Sequence, residues 1–275
     1  MQNRLLDYLS KQCGLFNKNF NLVISDFDED AIHDMRVAIK RIRAVFHLTE
    51  RLFPREFDAL EEEGEMRRLF RLSGRMRDAQ VQQQLLSANA LNLGSTFGEF
   101  LTYLHNIENK AIKNFKKFLK DYDAEHDLKQ KHEKVADLIS RAGPEQVRLQ
   151  IVQFVDELFK AASKMHSDYE HDENLHEIRR KLKQCNFLLS VFNQSDPDLP
   201  QLKTTLKKLD KVNELLGNWH DQLIAMEMLD RFMTKFRKKE EAGESRYLLL
   251  RNNLAENRYI LYKKVLNYFT EKLNI

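Results

Sequence analysis

Cysteine is almost missing from this 275-residue chain: Cys13 and Cys185 are the two it has, and their separation fits neither a metal site nor a redox pair. Secreted chains more often carry paired cysteines, so a reduced, cytoplasmic setting is expected. Glycine and proline are sparse as well, at 8 and 4 residues, and the absence of any low-complexity tract excludes a disordered chain. No apolar run approaches the ~18 residues of a membrane span, and the N-terminus has no signal-like hydrophobic stretch. Neither membrane insertion nor export is expected. Catalytic signatures are missing too: there is no phosphate-cradling glycine loop, zinc-protease pair, nucleophile elbow or isolated acid cluster for magnesium. A binding module is expected, not an enzyme, and one without a cofactor or a metal. What the chain does have is 42% hydrophobic and 32% charged residues, enough to bury a sizeable core.

Those apolar residues recur at helical spacing nearly everywhere, and no alternating stretch survives as a strand. The spacing predicts helices near 2–24, 31–52, 56–76, 79–92, 97–121 and 127–141, then 144–169, 175–193, 198–216, 221–240 and 245–272. Asp30 and Asn174 are positioned to cap two of them, Pro144 suits a first helical turn, and Gly143 marks a seam. The expected fold is all-α, as one large domain or as two pseudo-equivalent bundles, with halves at about 1–142 and 143–275.

The halves are related by a pair of motifs that occurs twice. His33-Asp34-Met35-Arg36 is followed by Lys40, then by Leu72-Ser73-Gly74 and Asp78; His176-Glu177-Ile178-Arg179 is followed by Lys183, then by Leu215-Leu216-Gly217 and Asp221. Every matched position, Pro54 and Pro197 included, lies 143 residues after its counterpart. A duplication that lets most positions drift while holding His, Arg, Lys, Gly and Asp in register implies two half-sites facing one another.

The net charge of +3 conceals a clustered distribution. Basic residues crowd Arg36 to Arg43, Arg67 to Arg77, Arg179 to Lys183 and Lys203 to Lys211, while acids gather elsewhere, as at Glu61 to Glu63 and Asp168 to Glu173. At ~100° per residue, His33, Arg36, Lys40, Arg43 and His47 fall in one narrow stripe, opposite Met35, Ile39, Ile42, Val45, Phe46 and Leu48. In the second copy the stripe reads His176, Arg179, Lys183, Asn186 and Ser190, against Ile178, Leu182, Cys185, Leu188 and Leu189. It thins toward its C-terminal end.

A basic stripe is ordinarily a solvated face laced by i,i+4 ion pairs, but neither stripe carries an acid on its own helix, and uncompensated like charges a turn apart suit an external polyanion. His33 and His176, each a turn before an arginine, fit donors that gain charge beside an anion; the bland alternative is a satisfied polar residue. Gly74 and Gly217 are expected to permit close helix approach or to end a helix. Asp78 and Asp221 are expected to cap the next helix, with some orienting of basic side chains.

These residues resemble the conserved histidine α-helical domain, or CHAD, family. The resemblance covers nearly the whole chain and rests on His33 to Arg43 with Pro54, Gly74-Arg75-Met76-Arg77-Asp78 with Val81, His176 to Lys183, and Gly217-Asn218-Trp219-His220-Asp221. It implies a single domain over 1–275, all-α, of two pseudo-symmetric antiparallel helical bundles from an internal duplication, whose His and basic residues line a basic central cavity that binds inorganic polyphosphate without catalysis, and with it association with polyphosphate granules. Candidate binding residues are His33, Arg36, Lys40, Arg41, Arg43, His47, Arg68, Arg71, Arg75, Arg77, His176, Arg179, Arg180, Lys183, Lys207, Lys211 and His220. The second motif departs from the family pattern, with Gln184 and Asn186 where arginine is usual, so a lopsided binding surface is expected. The triphosphate-tunnel domain often fused to the family is not found in these 275 residues.

Nucleic acid is a disfavoured partner on independent grounds. Sequence-tolerant single-strand binding wants aromatic platforms, worth about 1 to 3 kcal/mol per base, and the stripe positions carry none. Trp219 is expected to pack. Cations about 5.4 Å apart, one per turn, match a linear anion with roughly one charge per unit. Two rivals are a binder of nucleic-acid phosphate backbones and a dinuclear metal site, built from Asp30 with His33, Glu173 with His176, and Asp78 and Asp221. The arginines one turn from each His weigh against the metal.

Overall fold

The structure is a computed structural model that describes residues 1–166, 172–193, 196, 199–236 and 241–273. The described residues form α1 (Gln2–Asp26), α2 (Glu29–Leu52), α3 (Ala59–Leu93), α4 (Gly98–Phe118), α5 (Ala124–Arg141), α6 (Pro144–His166), α7 (Asp172–Leu189), α8 (Leu202–Phe236) and α9 (Glu241–Tyr268), with a π-helical turn at Phe269–Leu273. No strand occurs among them, and the expected all-α class holds. Pro197, residues 168–171 of the acidic segment, and residues 167–169, 198 and 237–240 of the expected helices lie outside the described residues.

Helix ends differ from expectation in instructive ways. The Asp28 side chain, two residues before Asp30, accepts from the Ala31 amide at 2.7 Å and starts α2, which leaves Asp30 in the first turn. Asn174 lies inside α7 and is not its cap. Pro144 does open α6, where its missing N–H costs nothing.

The breaks expected near residues 77 and 217–220 are absent: α3 runs through Gly74 and Asp78, and α8 through Gly217 and Asp221. Neither glycine ends a helix, and neither aspartate can cap one. A Cβ added at Gly217 would meet nothing within 4 Å, so close helix approach does not explain that residue either. The interruption in α3 is instead at Gly64, whose φ of 28° and ψ of −118° kink the helix in a conformation open to glycine. α3 opens at Ala59 and α8 at Leu202, the same 143-residue spacing that separates the motifs.

Two compact units divide the chain, Met1–Ser73 with Asn114–Asp210 and Gly74–Lys113 with Lys211–Ile275. Each takes residues from both sides of position 143. In the first unit α2 packs on α1, α5, α6 and α7. Met35, Ile39, Ile42, Val45, Phe46 and Leu48 are fully buried, as the arc opposite the stripe requires, and so are Ile178, Leu182 and Cys185 on α7. Each such large side chain contributes about 1.5–3 kcal/mol of transfer free energy, so the apolar arcs fix which faces of α2 and α7 remain for polar work. The second unit is built on Phe97, Phe100, Leu104, Leu229, Phe232, Tyr247, Leu250 and Leu254. Phe232 is its hub, with ring centroids 5.2 Å from Phe100 and 5.1 Å from Tyr247. Trp219 is fully buried, with the Arg258 guanidinium 5.6 Å from its ring, which is the packing role expected of it.

Candidate functional site

The stripe on α2 faces α3 and converges on one ring. Phe70, half-buried, lies 4.1 Å from the Arg36 guanidinium carbon, 5.6 Å from the Lys40 ammonium and 5.7 Å from the Arg43 guanidinium carbon. Arg36 also donates to the Phe70 carbonyl and, at 3.2 Å, to Ser73 Oγ. Three cations that repel one another are thus gathered over a ring whose negative face offsets part of that repulsion. Phe70 was not recognisable as a site residue in the sequence, because it lies on a different helix from the stripe.

Beyond the ring, an acid closes the stripe. The Glu63 side chain is fully buried; its Oε2 accepts from Arg67 Nε at 3.1 Å, and its Oε1 is ion-paired with Arg43 Nε at 2.8 Å and His47 Nε2 at 3.2 Å. Burial alone would raise its pKa, but the hydrogen bonds and charges of His47 and Arg43 outweigh it and hold the carboxyl down at about 2. The acidic run Glu61 to Glu63 therefore does not stand apart from the basic segments, as composition suggested. Glu61 is exposed and Glu62 pairs with Lys134, while Glu63, just before the Gly64 kink, turns inward to the stripe. Arg43 and His47 thus have a partner in Glu63, and His47 also lies 3.7 Å from Glu50 on its own helix, so the expectation that the stripe meets no acid on α2 fails at its C-terminal end.

The remaining candidates of the first unit are dispersed. His33 is exposed in the first turns of α2. Arg41 is turned into the packing, 3.3 Å from Gln12 Oε1 on α1 and 5.7 Å from the Phe187 ring on α7. Arg68 pairs with Glu65 at 3.4 Å and lies 4.9 Å from the Phe118 ring. Arg71 and Lys207 are exposed.

On α7, His176, Arg179 and Lys183 are half-buried, and Arg180 is exposed and pairs with Glu177 at 3.0 Å. Burial first, then the charges of Arg179 and Arg180, push the His176 pKa below the ordinary histidine value. Where the first stripe has Arg43 and His47, the second has Asn186, donating to Asp210 at 2.6 Å, and Ser190, 3.3 Å from the Tyr8 hydroxyl. The position matching Phe70 is Asn213. The second copy lacks the ring as well as the third cation. α2 and α7 themselves pack together within this unit.

Arg75, Arg77, Lys211 and His220 belong to the second unit. Arg75 is exposed, Lys211 pairs with Glu214 at 2.9 Å, and half-buried His220 lies beside Trp219 with ring centroids 6.4 Å apart. Among the described residues no three His, Cys, Asp or Glu side chains are grouped as a metal site requires, so the acid–imidazole pairs at Asp30 with His33 and Glu173 with His176 gather no third ligand. No helix among the described residues is long and apolar enough to cross a membrane.

The sequence matches the family model of the CHAD domain over residues 7–230. The fold is similar to the crystal structure of the CHAD domain from the plant Ricinus communis, with a TM-score of 0.76 at 17% sequence identity, over 98% of this chain and 92% of that one. No curated protein matches the sequence.

Proposed function

The chain belongs to the CHAD domain family, and from that premise we propose that it binds inorganic polyphosphate without catalysing its turnover. The observation that carries this reading is the convergence of Arg36, Lys40 and Arg43 on Phe70, one cation per helical turn along one face of α2. A linear polyanion meets such a row unit by unit, with guanidinium forks for two phosphate oxygens and an ammonium as a mobile point charge. The shared 143-residue spacing of motifs and helix starts supports a duplicated arrangement in which α7 supplies a second, weaker row, the two lining a basic central cavity. Arg68, Arg71 and Lys207 would extend the positive field of the first unit, and Arg41, held by Gln12 and Phe187, would act through packing; Arg75, Arg77, Lys211 and His220 are proposed as binding residues of the second unit. A cytoplasmic location beside polyphosphate stores completes the reading.

Nucleic-acid backbones are the second reading. A single ring, Phe70, already covered by three cations, offers a base no series of stacking platforms.

The test compares two alanine sets on the intact chain. Arg36→Ala with Lys40→Ala and Arg43→Ala should weaken polyphosphate binding more than Arg179→Ala with Lys183→Ala. The slope of log affinity against log salt should fall by about three in the first set and about two in the second, near one per lost phosphate contact by analogy with other polyanions. Equal losses, or a stronger effect of the second set with circular dichroism unchanged, would refute the placement of the site.

A further inference from the structure

In the second unit α3, α8 and α9 frame a cavity of about 430 Å³ whose chemistry differs in kind from the basic stripe. Four carboxamides line it, those of Gln84, Asn218, Gln222 and Asn257. Its charged groups are one carboxylate, Asp221, and one ammonium, Lys264, which cancel. A polyanion gains nothing there. The volume lies in the range of small-molecule sites, roughly 300–1,000 Å³, and such sites combine apolar walls with a few placed polar groups. Leu85 and Ile260 supply apolar wall, and Ile260 is 43% exposed although it is a large aliphatic side chain.

The polar groups have a direction. Gln222 is 8% exposed, and its carboxamide oxygen is buried with no hydrogen-bond partner, a costly state that a ligand N–H would relieve. Asn257 Nδ2 donates to Asn253 Oδ1 at 2.9 Å, which leaves its carbonyl oxygen and one amide hydrogen for a ligand. Buried Gln82 donates to the Asp221 carbonyl at 3.2 Å and ties α3 to α8, which makes the wall rigid. The carbonyl oxygens of Gln222 and Asn257 are thus two acceptors without a protein donor among the described residues, on a partly apolar wall. Carboxamides also present acceptor and donor side by side, the pattern that pairs with the edge of a nucleobase.

We propose that this cavity is a second binding site, for an uncharged nucleobase or nucleoside, independent of the polyphosphate reading. The carboxamides of Gln222 and Asn257 read the base edge, and Leu85 and Ile260 cover its face.

The experiment titrates the full chain with adenosine, guanosine, cytidine and uridine, following its Asn and Gln side-chain amide resonances by NMR. Saturable binding of at least one nucleoside is expected. Gln222→Met should weaken it by at least about tenfold, and Asn257→Ala, at a partly exposed position, provides the same reading should Gln222→Met fold poorly. Lys264→Ala should leave the affinity within about twofold, because the ligand is neutral, and long polyphosphate should not displace it. Absence of saturable binding by all four nucleosides would overturn the proposal. So would full affinity in the folded Gln222→Met and Asn257→Ala variants, loss of binding in Lys264→Ala, or displacement by polyphosphate.

Discussion

Glu63 is the residue whose replacement is most informative about how the stripe is built. Its buried carboxylate is bonded to Arg43, His47 and Arg67, and its pKa falls from 4.5 to about 2. At 1.36 kcal/mol per pKa unit, a drop of that size corresponds to about 3 kcal/mol of stability at neutral pH. Removing one partner of a buried ion pair costs about 3–5 kcal/mol, which agrees. Glu63→Gln keeps the shape and one acceptor but leaves the Arg43 and Arg67 charges unanswered, so urea unfolding followed by circular dichroism at pH 7 should show a loss of about 3 kcal/mol. The pH dependence has a definite sign. Because the folded-state pKa is depressed, the contribution is complete above about pH 4.5 and disappears as pH falls toward 2, so the gap between wild type and variant should close over that window. A gap below about 1 kcal/mol at pH 7, or one that persists unchanged to the acid limit, would refute the reasoning.

Two further outcomes follow from single positions. The His176 pKa is lowered by burial and by Arg179 and Arg180, and a bound polyanion reverses that field, so polyphosphate binding should take up protons and strengthen as pH falls from about 8 to 6. His33→Gln with His176→Gln should flatten that trend in titrations at constant ionic strength; an unchanged slope would make both histidines structural. Gly217→Ala, in the interior of α8 with nothing within 4 Å of the added Cβ, should stabilise the chain by about 0.5–1 kcal/mol in thermal or urea unfolding. A loss of stability there would show that the glycine serves packing after all.

How far the sequence could be read depended on whether a feature is local to one helix. The apolar arcs of α2 and α7 were readable residue by residue, since a 3.6-residue period decides which side chains face the core. Pro144 announced a helix start for the same local reason. Asp28 and Asp30 are two cap-competent acids in one turn, and composition does not choose between them. The continuity of α3 and α8 was missed because an interior glycine costs a helix only about 1 kcal/mol, which tertiary packing can outweigh, whereas Gly64, bland in the sequence, takes a positive φ and interrupts its helix. Phe70 and Glu63 were invisible as partners of the stripe for a related reason. Their role depends on how α3 lies against α2, which no pattern along α2 encodes.

The central claim, that the basic row takes a linear polyphosphate, is tested most directly by competition at near-physiological salt. Labelled long-chain polyphosphate bound to the full chain is displaced in turn by unlabelled polyphosphate, orthophosphate, duplex DNA and RNA, each compared per phosphate. Long polyphosphate should compete at far lower phosphate concentration than any of the others, because one chain engages successive cations at high effective concentration. Equal competition by orthophosphate, or by either nucleic acid, would contradict the account.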